Sequence, residues 1–362
     1  MGSVAVKVII AGGGTGGHIY PGIAVAREFR RRNADSEITF VGTAQGLETK
    51  IVPREGFRLE LIKIAGLKNV SLLSRLRTLL MLPGSFLQAR SLIKRLMPDI
   101  VIGVGGYSSG PVVLAASLMG LPTMVIEPNA LPGFTNRMLA SFIDRAAVTF
   151  EVSKRYFRGK AVVTGNPVRP EFYALTKKQR TEMFHLLVFG GSQGAHAINL
   201  AMLEAVRLLS DEKHRLTITH QTGEKDLQMV KAGYEQAGWT VDVRPFLHEM
   251  ASEFERADIV ISRAGATTVA ELTAAGKAAI LVPFPYAADD HQRKNAETLQ
   301  AAGAARMILQ QQLNGERLAS EVKSLMANPQ QIDDMEAAAR RLAKPDAAAA
   351  TVELALGLLK GV

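Results

Sequence analysis

The sequence contains no cysteine. Disulfides, thiolate metal sites and a cysteine nucleophile are therefore excluded. Long apolar runs are also missing. The longest, residues 111 to 125, is broken by Gly120 and Pro122. It is too short to cross a bilayer and reads as a helix followed by a buried strand. No basic-then-apolar leader precedes the strand-like residues that begin at Val4, so the expectation is a cytoplasmic protein. No Asp-x-Asp pair occurs, which argues against a divalent ion bridging to a diphosphate. No Ser/Pro/Gln-rich tract or long charge block suggests disorder. Acid is scarce in the first half. Residues 1–168 hold 21 Lys and Arg against 10 Asp and Glu, and the remainder holds 22 against 24, so the whole excess of +9 sits in the first half. A one-sided basic surface suggests a polyanionic partner: nucleic acid, anionic lipid or a phosphorylated substrate. Aromatic residues are not interleaved with these charges, which argues against single-stranded nucleic acid.

What is present is a repeating α/β pattern. Short β-branched runs alternate with helical segments, as in a parallel sheet covered on both faces. Four expected strands end in glycine-rich or small-residue loops. Residues 6–11 lead into Gly12-Gly13-Gly14-Thr15-Gly16-Gly17, and residues 100–102 into Gly103-Val104-Gly105-Gly106. Residues 186–189 lead into Gly190-Gly191-Ser192-Gln193-Gly194-Ala195, and residues 259–261 into Ser262-Arg263-Ala264-Gly265-Ala266. The second and fourth begin alike, Asp99-Ile-Val-Ile and Asp258-Ile-Val-Ile. Two similar halves are expected, joined near Thr164-Gly165-Asn166-Pro167-Val168-Arg169-Pro170, a stretch suited to a connection. A ligand should lie in a cleft facing the carboxyl ends of both sheets. Lys344-Pro345 marks a place where the chain could return to the first domain.

Gly12-x-Gly14-x-x-Gly17 matches the dinucleotide fingerprint and follows a strand. An NAD-dependent oxidoreductase is therefore a rival reading, and two features count against it. The second strand ends in Gly42-Thr43-Ala44, with no acid to hold a ribose diol. Pro21 should interrupt the helix that ought to start inside the fingerprint. Five glycines in six residues instead offer backbone N–H groups to a phosphate. His18, the one titratable side chain in this loop, is the histidine best placed for chemistry.

In the second half, a helix should start directly after the strand ending at Arg263-Ala264-Gly265, with its positive end suited to a diphosphate. Glu271 would lie about one turn in and could accept both hydroxyls of a ribose. Thr268-x-x-Glu271 is equally a capping box. Pro283-Phe284-Pro285 and then Asp289-Asp290-His291-Gln292, with Asn295, bring more polar groups to the same sheet edge. Asp289, Asp290 and His291 could alternatively ligate a metal, although consecutive residues point in different directions.

In this order the motifs resemble the peptidoglycan N-acetylglucosaminyltransferases, a group of the two-domain GT-B type in glycosyltransferase family 28, over essentially the whole chain. The resemblance is carried by Gly12-Gly-Gly-Thr-Gly-Gly-His18-Ile-Tyr-Pro-Gly22, Gly103-Val-Gly-Gly-Tyr-Ser-Ser-Gly-Pro111, Glu127-Pro-Asn129 with Thr135-Asn136, and Gly165-Asn-Pro-Val-Arg169. Gly190-Gly-Ser-Gln-Gly194 and the segment from Arg263 to Glu271 with Gln292 and Asn295 complete it. Pro128 stands where the family pattern has glutamine.

The resemblance implies an α/β chain of two Rossmann-like domains facing each other across a cleft. Residues 1–166 would bind acceptor and membrane, with helix 346–362 packing back on them, and residues 167–345 would bind UDP-GlcNAc. Donor contacts would come from Thr15, Gly16, Gly17, Asn129, Arg169, Ser192, Leu247, Ala266, Thr267, Thr268, Val269, Ala270, Glu271 and Gln292. Glu271 would hold the ribose and Gln292 the sugar hydroxyls. Gly13, Gly14, Gly105, Gly106, Tyr107 and Ser108 would face the acceptor diphosphate.

The implied reaction carries GlcNAc to the 4-hydroxyl of MurNAc in an undecaprenyl-pyrophosphoryl acceptor (lipid I to lipid II), with inversion. His18 is the first candidate base and Glu127 the second. No metal and no cofactor are expected, and leaving-group charge would fall to Arg169, Ser192 and backbone N–H groups. The implied location is peripheral, on the anionic cytoplasmic face of the inner membrane. Residues 61–98 carry seven basic residues and no acid. Of their apolar residues, Leu76 to Phe86 are expected on the surface, and Leu92, Ile93 and Leu96 in the core. The alternatives are another GT-B UDP-sugar transferase acting on a lipid, or the oxidoreductase.

Overall fold

The computed structural model describes residues 5–14, 16–63, 72–106, 108–176, 178–179, 181–191, 193–287 and 290–359, with backbone alone over 72–83. The chain forms two compact units, Met1–Val168 with Lys344–Val362, and Arg169–Ala343.

The first unit contains seven parallel strands: β1 (Lys7–Gly12), β2 (Glu37–Gly42), β3 (Arg58–Leu61), β4 (Ile100–Gly105), β5 (Thr123–Glu127), β6 (Arg145–Val148) and β7 (Ala161–Val163). Their order is β3-β2-β1-β4-β5-β6-β7. The central strands are continuous apolar runs because helices cover both faces. Ile9 and Ala11 belong to one apolar cluster, and Val8 and Ile10 to another. The crossovers are α1 (Gly16–Arg32), α2 (Glu48–Arg54), α3 (Leu72–Leu96), α4 (Ser109–Leu118) and α5 (Phe134–Leu139). The strand order reverses between β1 and β4, so their carboxyl ends open a crevice where the loops after both strands meet.

Pro21 does not interrupt α1. It is buried inside the helix, which begins at Gly16 within the fingerprint. Its ring removes one backbone donor, but its fixed φ fits helical geometry, and packing of Ile19, Ile23 and Phe29 into the core outweighs the lost bond. That argument against a dinucleotide site therefore fails.

The second unit contains β8 (Phe184–Phe189), β9 (Leu216–Gln221), β10 (Asp242–Arg244), β11 (Ile259–Ser262), β12 (Ala279–Leu281) and β13 (Ala305–Met307), all parallel. The order is β10-β9-β8-β11-β12-β13, reversing between β8 and β11. Its helices are α6 (His196–Leu208), α7 (Leu227–Gln236), α8 (Met250–Arg256), α9 (Ala266–Ala275), α10 (His291–Ala301), α11 (Gly315–Met326) and α12 (Pro329–Leu342). The chain then completes the first unit with α13 (Ala347–Leu359). This helix lies against α1, buries Val352 and Ala355 in the core, and receives a 2.9 Å hydrogen bond from Arg32 on the carbonyl of Ala349.

The repeated Asp-Ile-Val-Ile has one structural meaning in both units. Asp99 accepts the N–H of Lys7 at 2.7 Å, and Asp258 accepts the N–H of His185 at 2.8 Å. Each aspartate thus enters the strand beside its unit's first strand and ties the two starts together. Among the described residues no helix is long and apolar enough to cross a membrane. In α3, Leu92 and Ile93 are core and Leu96 packs against it, as expected, but Phe86 packs there too rather than standing on the surface. Its aromatic area is better buried than hydrated. Leu87 beside it is 61% exposed, and the side chains of Leu76, Leu79, Leu80 and Leu82 lie outside the described residues.

Candidate active site

In the second unit, polar groups collect at the carboxyl ends of β8 and β11. Gly265 is the N-cap of α9, with extended backbone and no side-chain cap. Thr268 and Glu271 therefore lie inside the helix, and the capping-box alternative is excluded. Thr267 and Thr268 stand in the first turn, where backbone N–H groups have no acceptor within the helix. The Thr267 hydroxyl oxygen is buried and has no hydrogen-bond partner. Val269 and Ala270 continue the turn and are buried.

Glu271 is 8% exposed and accepts a hydrogen bond from Arg169 at 3.1 Å. Burial pushes its carboxyl up to about 7 against the opposing pull of Arg169. Arg169 also lies 3.4 Å from Glu171 and stacks over Phe172.

Three further side chains fix this edge. Gln292 accepts the N–H of Phe284 at 3.0 Å, and Asn295 donates to the carbonyl of Ala264 at 3.1 Å. Arg263 donates to the carbonyls of Val282 and Pro283 at 3.1 and 3.2 Å and to Gln310 at 2.6 Å. Burial pulls its guanidinium down to about 10. Gln221, at the end of β9, was not singled out from the sequence. Its side chain donates to the carbonyl of Gly191 and accepts the N–H of Leu247, both at 2.8 Å. It thus joins the glycine loop after β8 to the buried Leu247. Its one sequence signal was a polar residue closing an apolar strand.

In the first unit, Gly16, Gly17 and His18 form the first turn of α1, so His18 stands on a helix rather than in the loop. Its ring rests on Gly105, which has φ +91°; a Cβ there would lie 2.8 Å from Cε1 and Nδ1 of the ring. At Gly106, with φ +82°, a Cβ would lie 2.5 Å from the carbonyl oxygen of Gly13. The loops after β1 and β4 are therefore in backbone contact. Ser108 precedes α4, and the hydroxyls of Ser108 and Ser109 are buried without a partner.

Two expectations change here. Gly14 does not offer its N–H to a diphosphate, because that N–H donates to Glu48 at 2.8 Å. The buried carboxylate also opposes a second anion at that spot. Glu127 is poorly suited to act as a base. It is 1% exposed, and its oxygens accept hydrogen bonds from the N–H and side chain of Asn129, the N–H of Gly133 and the side chain of Asn136. Burial pushes its carboxyl up against these four bonds. Glu127 and the buried Asn129 together build the turn after β5. Thr15, Tyr107, Ser192 and Asp289 lie outside the described residues. Asp290 lies 3.9 Å from Arg293, and His291 opens α10.

The sequence matches the glycosyltransferase family 28 N-terminal domain over residues 8–148 and the family 28 C-terminal domain over residues 185–351. It is 49% identical to the UDP-N-acetylglucosamine–N-acetylmuramyl-(pentapeptide) pyrophosphoryl-undecaprenol N-acetylglucosamine transferase of Geotalea uraniireducens, covering 96% of this chain and 97% of the relative. The protein of the same name from Syntrophus aciditrophicus is 46% identical, over 99% of this chain and all of the relative. The chain belongs to glycosyltransferase family 28. Among solved structures, Acinetobacter baumannii MurG matches the family 28 chain with a TM-score of 0.82 and 32% identity, over 97% and 99% of the two chains. A Neisseria meningitidis UDP-GlcNAc 2-epimerase bound to UDP-GlcNAc has a TM-score of 0.70 at 14% identity, covering 97% of this chain and all of that one, which is a likeness of fold. The family 28 chain accordingly has the two Rossmann-like units of the GT-B fold.

Proposed function

We propose that this chain is the inverting N-acetylglucosaminyltransferase that carries GlcNAc from UDP-GlcNAc to the MurNAc 4-hydroxyl of undecaprenyl-pyrophosphoryl-MurNAc-pentapeptide. The observation that carries the reading is 46–49% identity, over nearly the full length, to relatives bearing that name. The geometry of the second unit supports it. A helix start with a buried carboxylate one turn in suits a diphosphate followed by a ribose diol. Glu271 takes the diol, Arg169 and the first turn of α9 take the diphosphate, and Gln292 the sugar. His18 takes the proton of the attacking hydroxyl, the nucleophile enters opposite UDP, and the anomeric carbon inverts without a covalent intermediate. Glu127 acts by shaping the turn that carries Asn129. The acceptor's lipid keeps the enzyme at the cytoplasmic face of the membrane as a peripheral protein, where the basic first half meets anionic headgroups.

Incubation with UDP-GlcNAc and the lipid-linked acceptor should give a β-linked disaccharide by NMR. Calorimetry should show binding of UDP-GlcNAc in preference to UDP-glucose, and none of NAD or single-stranded DNA. Tight NAD binding without transfer would restore the oxidoreductase reading.

A further inference from the structure

Three glycines of the first unit have one explanation in common. Gly13, Gly42 and Gly46 are not among the glycines at positive φ. A Cβ on any of them would instead overlap the side chain of Glu48. The chain therefore closes tightly around one carboxylate, which is 1% exposed. One of its oxygens accepts the N–H of Gly14 at 2.8 Å. The other accepts the N–H of Thr43 at 2.8 Å and the Thr43 hydroxyl at 3.0 Å. A buried carboxylate is costly unless several donors meet it, and bonds to a charged acceptor are the strong ones. All three donors belong to the loops after β1 and β2. None belongs to a helix interior or to the core.

We infer that Glu48 is a positioning residue for transfer, an internal anion around which the chain from Gly12 to Gly14 is folded. Glu48 fixes Gly13 and Gly14. The carbonyl of Gly13 lies against Gly106, and the neighbouring Gly105 is the surface on which the His18 ring rests. The carboxylate thus acts through the paired glycine loops on the placement of His18. It also fills the place at Gly14 that a substrate phosphate would take, so acceptor phosphate must use other groups of these loops. The inference rests on the transferase reading given above.

The test uses the full-length Glu48→Gln, Glu48→Ala and Thr43→Val variants. Steady-state kinetics with UDP-GlcNAc and the lipid acceptor would be paired with thermal melts and the ¹H–¹⁵N resonance of Gly14. Glu48→Gln keeps the shape but turns an amide N–H₂ toward existing donors. It should lose about 10-fold or more in kcat per folded molecule, with donor KM within about twofold of wild type. Glu48→Ala should lose at least as much, and formate should restore part of its kcat saturably while leaving wild type unchanged. The Gly14 resonance should shift in Glu48→Ala and return with formate. That readout stands even if wild type transfers no sugar, which would sink the functional reading alone. Thr43→Val removes one donor without opening a cavity and should lower kcat by a few fold at unchanged donor KM. It decides the matter if both Glu48 variants fail to fold. Folded variants with wild-type kcat, or a loss that follows thermal unfolding and ignores formate, would overturn the inference.

Discussion

Arg169 donates a hydrogen bond to Glu271 across 3.1 Å, although 102 residues separate them in sequence. Burial holds the Glu271 carboxyl near 7, with Arg169 opposing. As pH falls through about 7 the carboxyl takes a proton and its bonds to a ribose diol weaken. Donor KM should therefore rise between pH 8 and pH 6, and Glu271→Gln should remove that dependence while raising KM throughout. Arg169→Ala removes the opposing pull and should move the transition to higher pH.

The same group gives a stability prediction of defined sign. Its folded value lies above the ordinary 4.5, so the folded state holds the proton more tightly than the unfolded chain. The stabilisation is fully present below about 4.5 and is lost as pH rises through about 7. A shift of this size corresponds to about 3 kcal/mol. Urea melts at pH 5 and pH 8 should show Glu271→Gln gaining on wild type at the higher pH. A constant difference would mean that the carboxyl titrates normally.

Gln221→Leu should weaken UDP binding. It strands the Leu247 N–H and the Gly191 carbonyl, at a cost of about 1–3 kcal/mol. Calorimetry with UDP should record roughly 5-fold or greater loss, together with a lower melting temperature. Unchanged UDP affinity in a destabilised variant would confine Gln221 to the fold.

His18→Ala should lower kcat by about 100-fold while UDP binding persists. Gly105→Ala tests the surface beneath the ring. Its methyl would press on the imidazole from a left-handed backbone position. A comparable kcat loss at unchanged donor KM is expected. If Gly105→Ala is impaired and His18→Ala is not, the loop matters and the imidazole does not.

Association with vesicles should rise with anionic lipid and fall with salt, at about 1 kcal/mol per basic residue near the surface. Serine at Leu79, Leu80 and the exposed Leu87 should weaken it. Phe86 is left in place, since it packs on the core. Binding indifferent to lipid charge would put the docking surface elsewhere.

Much of the architecture was legible because strands and glycine loops are local features. Each of the four loops singled out in the sequence follows a strand at a crossover point, and Asp99 and Asp258 mark equivalent positions. Local pattern failed where packing decides. Pro21 reads as a helix breaker, yet the core holds the helix through it. Thr268 reads as a cap, yet the helix begins two residues earlier, at Ala266. Glu127 reads as a strand-end base, but nothing in its own segment reveals that Asn129, Gly133 and Asn136 turn back to satisfy it. Glu48 lies 34 residues from Gly14, and only folding shows that Gly13, Gly42 and Gly46 make room for it.

The return of α13 to the first unit has a consequence for synthesis. Val352 and Ala355 fill a core whose other buried members, from Val6 to Ala147, leave the ribosome far earlier. The nascent first unit must wait with the flank of α1 uncovered while all of Arg169–Ala343 is translated. The second unit is continuous in sequence and can close its own core in the meantime. The member begun first is thus the last to be finished, and a chain truncated before residue 347 would release a complete second unit attached to an open first one.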